Sequence, residues 1–62
     1  MTGAQLRRIR NRLDLTQRGL AEKLGVSANT VARRERDEVG IAEPAARLAK
    51  LLLEMARKAK GD

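Results

Sequence analysis

The chain has 62 residues, with no cysteine, no histidine and no aromatic residue, and its formal net charge is +6. This length allows one small domain over residues 1–62, whose core alone gives marginal stability. The missing side chains exclude disulfides, thiolate nucleophiles, imidazole bases and the usual zinc sites, and they argue against single-strand binding by aromatic stacking. We therefore expect no enzyme, no metal and no cofactor.

The predicted elements are helical, because apolar residues recur with helical spacing and strand-like alternation is absent. Thr2 and Gln5 have the spacing of a capping box. Leu6 and Ile9 then share one helical face, which predicts a first helix over residues 2–13.

Two short helices follow, each with a capping residue before it. Thr16 precedes a helix predicted over residues 17–24, and Ser27 precedes one predicted over residues 28–36. Gly25 ends the earlier of the two, because glycine tolerates a positive φ.

A polar loop leads to a last helix, predicted over residues 44–58. Pro44 suits the first turn of a helix, and Glu43 lies favourably near its positive end. The expected architecture is all-α, a compact bundle of four helices, or five if the last helix breaks.

The positive charge is concentrated in the first part of the chain. Residues 1–36 contain nine basic and three acidic residues, whereas residues 37–62 contain five of each. Eight of those nine basic residues are arginine, whose planar guanidinium suits phosphate. The pattern indicates either a polyanionic partner or a solvated basic face.

The short connection between the second and third helices carries the functional signal. Two helices joined by a short turn with glycine form the geometry of a DNA-reading helix-turn-helix. Ala21 is small where the helices cross, and Gly25 permits the sharp turn. Four apolar positions join the pair to the first helix: Leu20, Leu24, Val26 and Val31.

Residues 15–36, LTQRGLAEKLGVSANTVARRER, resemble the phage repressor and Cro family of helix-turn-helix DNA-binding domains, the XRE type, and the similarity extends over roughly residues 4–53. The resemblance implies a repressor-like bundle and a dimeric transcriptional regulator. Arg34 stands where this family usually has an apolar residue, and Asp37 where it usually has glycine. From these departures we expect looser packing at the end of the third helix and a differently shaped loop after it.

The third helix carries the predicted base readers. At about 100° per residue, with Val31 on the buried side, Asn29 and Arg33 point away from the core. Asparagine can pair with adenine and arginine with guanine, and threonine and alanine methyls can touch the thymine methyl. Together with the resemblance this predicts four base readers: Ala28, Asn29, Thr30 and Arg33. The alternative is that these side chains are solvated surface.

Other residues are predicted to contact the DNA backbone. In the family, a glutamine at the position of Gln17 lies beside the backbone, and amides at helix N-termini are natural phosphate donors. The predicted set is Thr16, Gln17, Arg8, Arg12, Arg18, Ser27 and Arg36. The alternative for any one arginine of this set is that its charge is solvated at the surface and contacts no phosphate.

The resemblance also implies a structural ion pair, because family members often carry an arginine in the first helix paired with a glutamate at the end of the third. Arg10 and Glu35 match those positions. If the pair is buried, removing one partner costs about 3–5 kcal/mol. Arg10→Ala is then expected to lose DNA binding through unfolding, and Arg33→Ala to lose it with the fold intact.

Apolar residues occupy about 200° of the last helix, whereas packing on one core needs about 100°. The surplus predicts an interface, because large exposed apolar patches usually mark one. Leu51 and Leu53 lie at opposite edges of the arc as candidate dimer contacts, and the choice between the edges stays open. A two-fold homodimer would set two recognition helices about 34–36 Å apart, one DNA turn.

The predicted function is sequence-specific binding of double-stranded DNA in the major groove by a repressor-like homodimer on a palindromic operator. The alternative is an antitoxin-type interaction module that neutralises a protein partner, such as a toxin, and binds DNA only secondarily. A membrane-surface helix is disfavoured because the charge excess lies in the other half of the chain, and structured RNA because its deep, narrow major groove resists helix insertion. Asp37, Glu38 and Glu43 have no base or metal motif beside them, which disfavours catalysis.

No apolar run is long enough to cross a membrane, which takes about 18 residues or more. The N-terminal residues also lack the apolar stretch of a signal peptide. The expected location is the cytoplasm, in association with the nucleoid.

Overall fold

The computed structural model describes residues 1–59 of the chain. They form four α-helices: α1 (Gly3–Arg12), α2 (Gln17–Leu24), α3 (Ala28–Glu35) and α4 (Glu43–Ala59). This part of the chain contains no strand, so the all-α prediction is confirmed, and α4 runs unbroken instead of splitting into two helices. Within the same residues no helix is both long and apolar enough to span a membrane.

The first three helices, α1, α2 and α3, each begin after a capping residue whose side chain accepts a hydrogen bond from the third amide of the helix. The Thr2 hydroxyl accepts a hydrogen bond from the Gln5 amide (3.2 Å), and the Gln5 side chain accepts one from the Thr2 amide (2.9 Å). The predicted capping box is therefore confirmed. Thr16 caps α2 by accepting from the Gly19 amide (2.9 Å), and Ser27 caps α3.

Several helix ends differ from the predicted ones by one residue. Thr2 and Leu13 are the caps of α1 and not members of it, and Arg36 is the C-cap of α3. The last helix runs from Glu43 to Ala59 and thus extends one residue further at each end than predicted. Capping residues are only half helical, so a periodic pattern does not separate them from the helix itself.

The core lies between the first three helices and the middle of α4. Leu6, Leu20 and Val31 bring α1, α2 and α3 together with 0–1% of their surface exposed. Ala49 is fully buried, and its small side chain lets α4 close over the cluster. Ile41, in the loop before α4, packs against the same cluster. The outer faces of α2 and α3 are left uncovered by α4.

The start of α1 touches the end of α3. A Cβ at Gly3 would lie 2.6 Å from the carbonyl oxygen of Arg34 and closer still to that of Glu35, so only glycine fits. The Gly3 amide also donates a hydrogen bond to the Asp37 carboxylate (2.8 Å), and Asp37 has a φ of 61°. Glycine favours this left-handed conformation, and aspartate tolerates it. Asp37 thus takes a glycine-like conformation and ties the loop to α1.

Arg34 is half-buried near the end of α3. Its Nε and Nη1 atoms are buried and find no hydrogen-bond partner among residues 1–59. Each unsatisfied buried donor costs about 1–3 kcal/mol, which an apolar residue at this position would avoid.

Candidate nucleic-acid interface

The helices α2 and α3 are joined by a three-residue turn, residues 25–27. Gly25 has a φ of 74°, and the Val26 amide donates a hydrogen bond to the Ala21 carbonyl (3.0 Å). Val26 also packs against the core, which pins the middle of the turn. Because Ala21 and Val31 are buried at the crossing, the two helices are held in one orientation with one face of each open to solvent.

The outward face of α3 carries the residues predicted to read bases. Asn29 is exposed, and so is Arg33, whose side chain is 48% accessible. Thr30 is half-buried, and its hydroxyl shares a 2.9 Å hydrogen bond with the Ser27 hydroxyl. Ala28 is partly buried against the core. Asn29 and Arg33 therefore extend furthest from the helix, one turn apart along it.

The N-terminus of α2 supplies free backbone donors. Thr16 is exposed, and its hydroxyl caps the Gly19 amide. The amides of Gln17 and Arg18 come first in α2 and have no acceptor inside an α-helix. Arg18 is exposed beside them. Two free amides, the positive end of the helix dipole and a guanidinium together suit an anion such as phosphate.

Arg10 and Glu35 form an ion pair next to this end of α2. Glu35 is 4% exposed, and Arg10 donates to both of its carboxylate oxygens, from Nε (2.6 Å) and Nη2 (3.2 Å). Gln17 Nε2 adds a hydrogen bond of 3.2 Å and Arg7 Nε a longer one of 3.5 Å. Burial alone would raise the pKa of Glu35, but the hydrogen bonds from Arg10 and Gln17 and the charge of Arg10 outweigh it and hold the pKa below its ordinary value.

This network joins three helices and the chain segment before α2. Arg10 Nη1 also donates to the Leu15 carbonyl (3.1 Å), so the guanidinium fixes the approach to α2 as well as the end of α3. Gln17 is predicted to lie beside the DNA backbone. Its side chain donates a hydrogen bond to Glu35, and its amide lies at the N-terminus of α2. The sequence did not predict Gln17 or Arg7 as partners of Glu35, because the family resemblance pairs only Arg10 with it and no local spacing connects residues 18 and 28 positions apart.

A second cluster, which the sequence did not predict, lies at the C-terminal end of α3. The Glu38 carboxylate accepts a hydrogen bond from Arg36 Nε and lies 3.7 Å from Arg33 Nε. The Arg36 hydrogen bond lowers the pKa of Glu38, and the positive charges of Arg36 and Arg33 lower it further. Residues five apart do not face each other on a helix, so the turn after α3 is what brings Glu38 back to Arg33.

The remaining predicted phosphate contacts lie on α1 and at the two ends of α3. Arg8 and Arg12 are exposed on α1, where both line a surface groove, and Ser27 and Arg36 are exposed at the ends of α3. Among the described residues, no group of acidic side chains comes close enough together to hold a metal ion.

A family model described as helix-turn-helix matches residues 6–56, which take in most of α1, the whole of α2 and α3, and most of α4. The chain belongs to the Cro/C1-type helix-turn-helix family. Comparison with curated proteins and with solved structures gave no match. The Cro/C1 type is a family of DNA-binding domains and not of enzymes, so this helix-turn-helix protein is a DNA-binding regulator.

Proposed function

We propose that this helix-turn-helix protein is a repressor-like transcriptional regulator that reads double-stranded DNA through α3. The observation that carries the proposal is the pair of exposed polar side chains, Asn29 and Arg33, on a helix whose opposite side is anchored by the fully buried Val31. In a helix-turn-helix the second helix enters the major groove while the first crosses the backbone. The free amides at the start of α2 supply the donors that such a crossing uses.

The four proposed base readers differ in the length and exposure of their side chains. Asn29 can take the N6 and N7 edge of adenine, and Arg33 the O6 and N7 edge of guanine, each worth about 1–3 kcal/mol of discrimination. Ala28 and Thr30 are shorter and partly buried, so their methyl groups suit contact with a thymine methyl. We assign specificity mainly to Asn29 and Arg33 for this reason.

The backbone contacts position the domain and supply salt-dependent affinity. Each phosphate neutralised by an arginine steepens the dependence of log affinity on log salt by about 0.9. The proposed contacts are Thr16, Gln17, Arg18 and Ser27 at the two helix N-termini, Arg36 at the end of α3, and Arg8 and Arg12 on α1.

We further propose that two copies pair through α4. Leu51 and Met55 are 48% and 58% exposed and lie one turn apart on one face of the helix, next to the half-buried Leu48. Leu53 is at the opposite edge and packs against the core, so Leu51 marks the open edge. An antiparallel pairing about Leu51 is self-complementary and brings Lys58 of one copy near Glu43 of the other.

Selection from random double-stranded DNA at near-physiological salt tests the proposal. Enrichment of two-fold symmetric sites with half-sites about one helical turn apart supports a homodimeric reader. Enrichment of one asymmetric site supports sequence-specific binding but refutes the symmetric dimer on DNA. No enrichment refutes sequence-specific recognition, and the antitoxin-type alternative, in which the open edge of α4 binds a different protein, then takes its place.

The dimer surface has its own test in solution. Leu51→Glu places a charge on the open edge and should shift the protein to monomer in sedimentation equilibrium, because an unpaired charge in an apolar contact is costly. Lys50→Glu adds the same acidic group at a neighbouring exposed position and should leave the association unchanged. Equal behaviour of the two variants contradicts the proposed surface.

A further inference from the structure

Two of the arginines assigned to DNA are already paired within the protein. Arg33 and Arg36 both direct their Nε atoms at Glu38, although all three side chains are about half exposed (48%, 55% and 47%) and could each be solvated separately. A carboxylate thus lies at the end of the recognition helix, where a DNA-binding surface usually carries positive charge.

The backbone around Glu38 holds the carboxylate in this place. The Glu38 amide donates to the Arg33 carbonyl (2.9 Å), and the Asp37 amide donates to the Arg34 carbonyl (3.1 Å). The Asp37 carboxylate in turn accepts from the Gly3 amide at the start of α1. Glu38 therefore follows a turn that is anchored at both ends, and its side chain needs little ordering to meet the arginines.

We propose that Glu38 is a specificity-determining residue, which competes with DNA phosphates for Arg33 and Arg36 and so weakens binding to non-cognate DNA. The inference rests on the proposed function. Carboxylate and phosphate oxygens are the two anionic acceptors that a guanidinium fork fits, so a phosphate must displace Glu38 to bind either arginine side-on through Nε. Glu38 also repels any phosphate that approaches without displacing it.

The atoms involved explain why cognate DNA is penalised less. The Glu38 carboxylate approaches the Arg33 guanidinium at its Nε atom (3.7 Å). The two terminal nitrogens of Arg33 are thus left to bind guanine O6 and N7. Reading a base edge is thus compatible with the ion pair, whereas a side-on phosphate contact through Nε is not. The same carboxylate opposes the sequence-independent contacts and tolerates the sequence-dependent one.

The test compares Glu38→Gln with Glu22→Gln in the full chain. Glu22 is exposed on α2, the other helix of the motif, so its replacement makes the same change in net charge in the same motif. Affinity is measured by fluorescence anisotropy for a random-sequence duplex and for the duplex enriched by selection, from about 50 to 200 mM salt. Thermal unfolding of both variants verifies that each is folded at the assay temperature.

Glu38→Gln is expected to tighten binding to the random duplex about 3- to 10-fold, because each exposed ion pair is worth up to about 5-fold. Its salt dependence should steepen by about one phosphate equivalent, a slope change of about 0.9. Binding to the enriched duplex should change less, so the specificity ratio falls. The inference is overturned if Glu38→Gln changes the affinity for both duplexes equally, or if Glu38→Gln and Glu22→Gln have the same specificity ratio.

A second readout needs no DNA. The Nε–H resonances of Arg33 and Arg36 in ¹⁵N-resolved NMR spectra of the free protein should move in Glu38→Gln and stay in place in Glu22→Gln, and unmoved resonances overturn the inference. If the resonances move but the parent protein enriches no duplex, the proposed function fails along with the inference. If the parent enriches a duplex while its specificity ratio is unaffected by Glu38→Gln, only the inference fails.

Discussion

Arg10→Ala removes the main partner of a buried carboxylate. In the parent, Arg10 donates two hydrogen bonds to Glu35 and one to the Leu15 carbonyl, and its own side chain is only 16% exposed. In the variant, Glu35 stays 4% exposed and keeps only the hydrogen bond from Gln17 and the longer one from Arg7. We expect the variant to lose stability because the charge of Glu35 is then buried without its main counter-charge.

The magnitude follows from the burial and the remaining partners. Breaking a fully buried pair from one side costs about 3–5 kcal/mol. Because two donors to Glu35 remain, we expect the lower end, about 3 kcal/mol. A domain of this size has roughly 3–9 kcal/mol of stability in total, and each kcal/mol shifts Tm by about 4–8 °C. Arg10→Ala should therefore lower Tm by about 12–24 °C and leave about 0–6 kcal/mol of stability.

The pH dependence separates this mechanism from a general loss of packing. The folded-state pKa of Glu35 lies below its unfolded value, so its stabilising contribution is present above the unfolded pKa and is lost as the pH falls through the folded pKa. Without Arg10, the buried carboxyl has a higher pKa than in the parent and is protonated first on acidification. The stability difference between parent and variant should shrink as the pH is lowered from about 7 to about 3.

Urea unfolding followed by circular dichroism at several pH values measures the difference. Arg8→Ala is the matched control, because it removes an exposed arginine from the same helix, and it should change stability by less than about 0.5 kcal/mol. Adding Glu35→Gln to Arg10→Ala should restore part of the lost stability by removing the buried charge. If Arg10→Ala is as stable as the parent, or if the stability difference between them does not depend on pH, a structural role for the Arg10–Glu35 pair is refuted.

Three further predictions test the contacts around α3. Gly3→Ala should cost about 1–3 kcal/mol in urea unfolding, because its Cβ would collide with the backbone of α3, whereas Gly40→Ala has open space and should be nearly neutral. Arg34→Met should raise the free energy of unfolding by about 1 kcal/mol, since it removes buried donors that have no partner in the described chain, and a lower Tm would contradict this. Arg33→Ala should leave Tm unchanged and cost about 1–3 kcal/mol at one base pair of the selected site, and equal binding of all substituted sites would speak against base reading.

The short-range pattern of the sequence determined most of the helices and the turn. Thr2, Thr16 and Ser27 each cap an amide three residues ahead, and Gly25 ends α2 with a positive φ. Such interactions involve neighbours in the chain, so residue types at fixed spacing are enough to predict them. The helix-turn-helix, with its outward Asn29, was predictable for the same reason.

The covered edge of α4 was decided by tertiary packing. Leu51 and Leu53 are the same residue type two positions apart, and the apolar arc on which they lie is wider than one packed face. The sequence alone could not rank them. Ala49 packs into the core, and this fixes the rotation of α4 about its own axis. In that rotation Leu53 packs against the core and Leu51 is exposed to solvent.

The charged contacts also depended on the tertiary structure. The family resemblance pairs Arg10 with Glu35, but the excess of arginines over acidic residues near the interface leaves open which other guanidinium groups meet a carboxylate and how many meet one. Gln17 and Arg7 reach Glu35 only because α1, α2 and the end of α3 converge there. Glu38 reaches Arg33 only because the left-handed Asp37 turns the chain back along α3. Ion pairs are set by distances across the fold, and these distances exist only once the helices have packed.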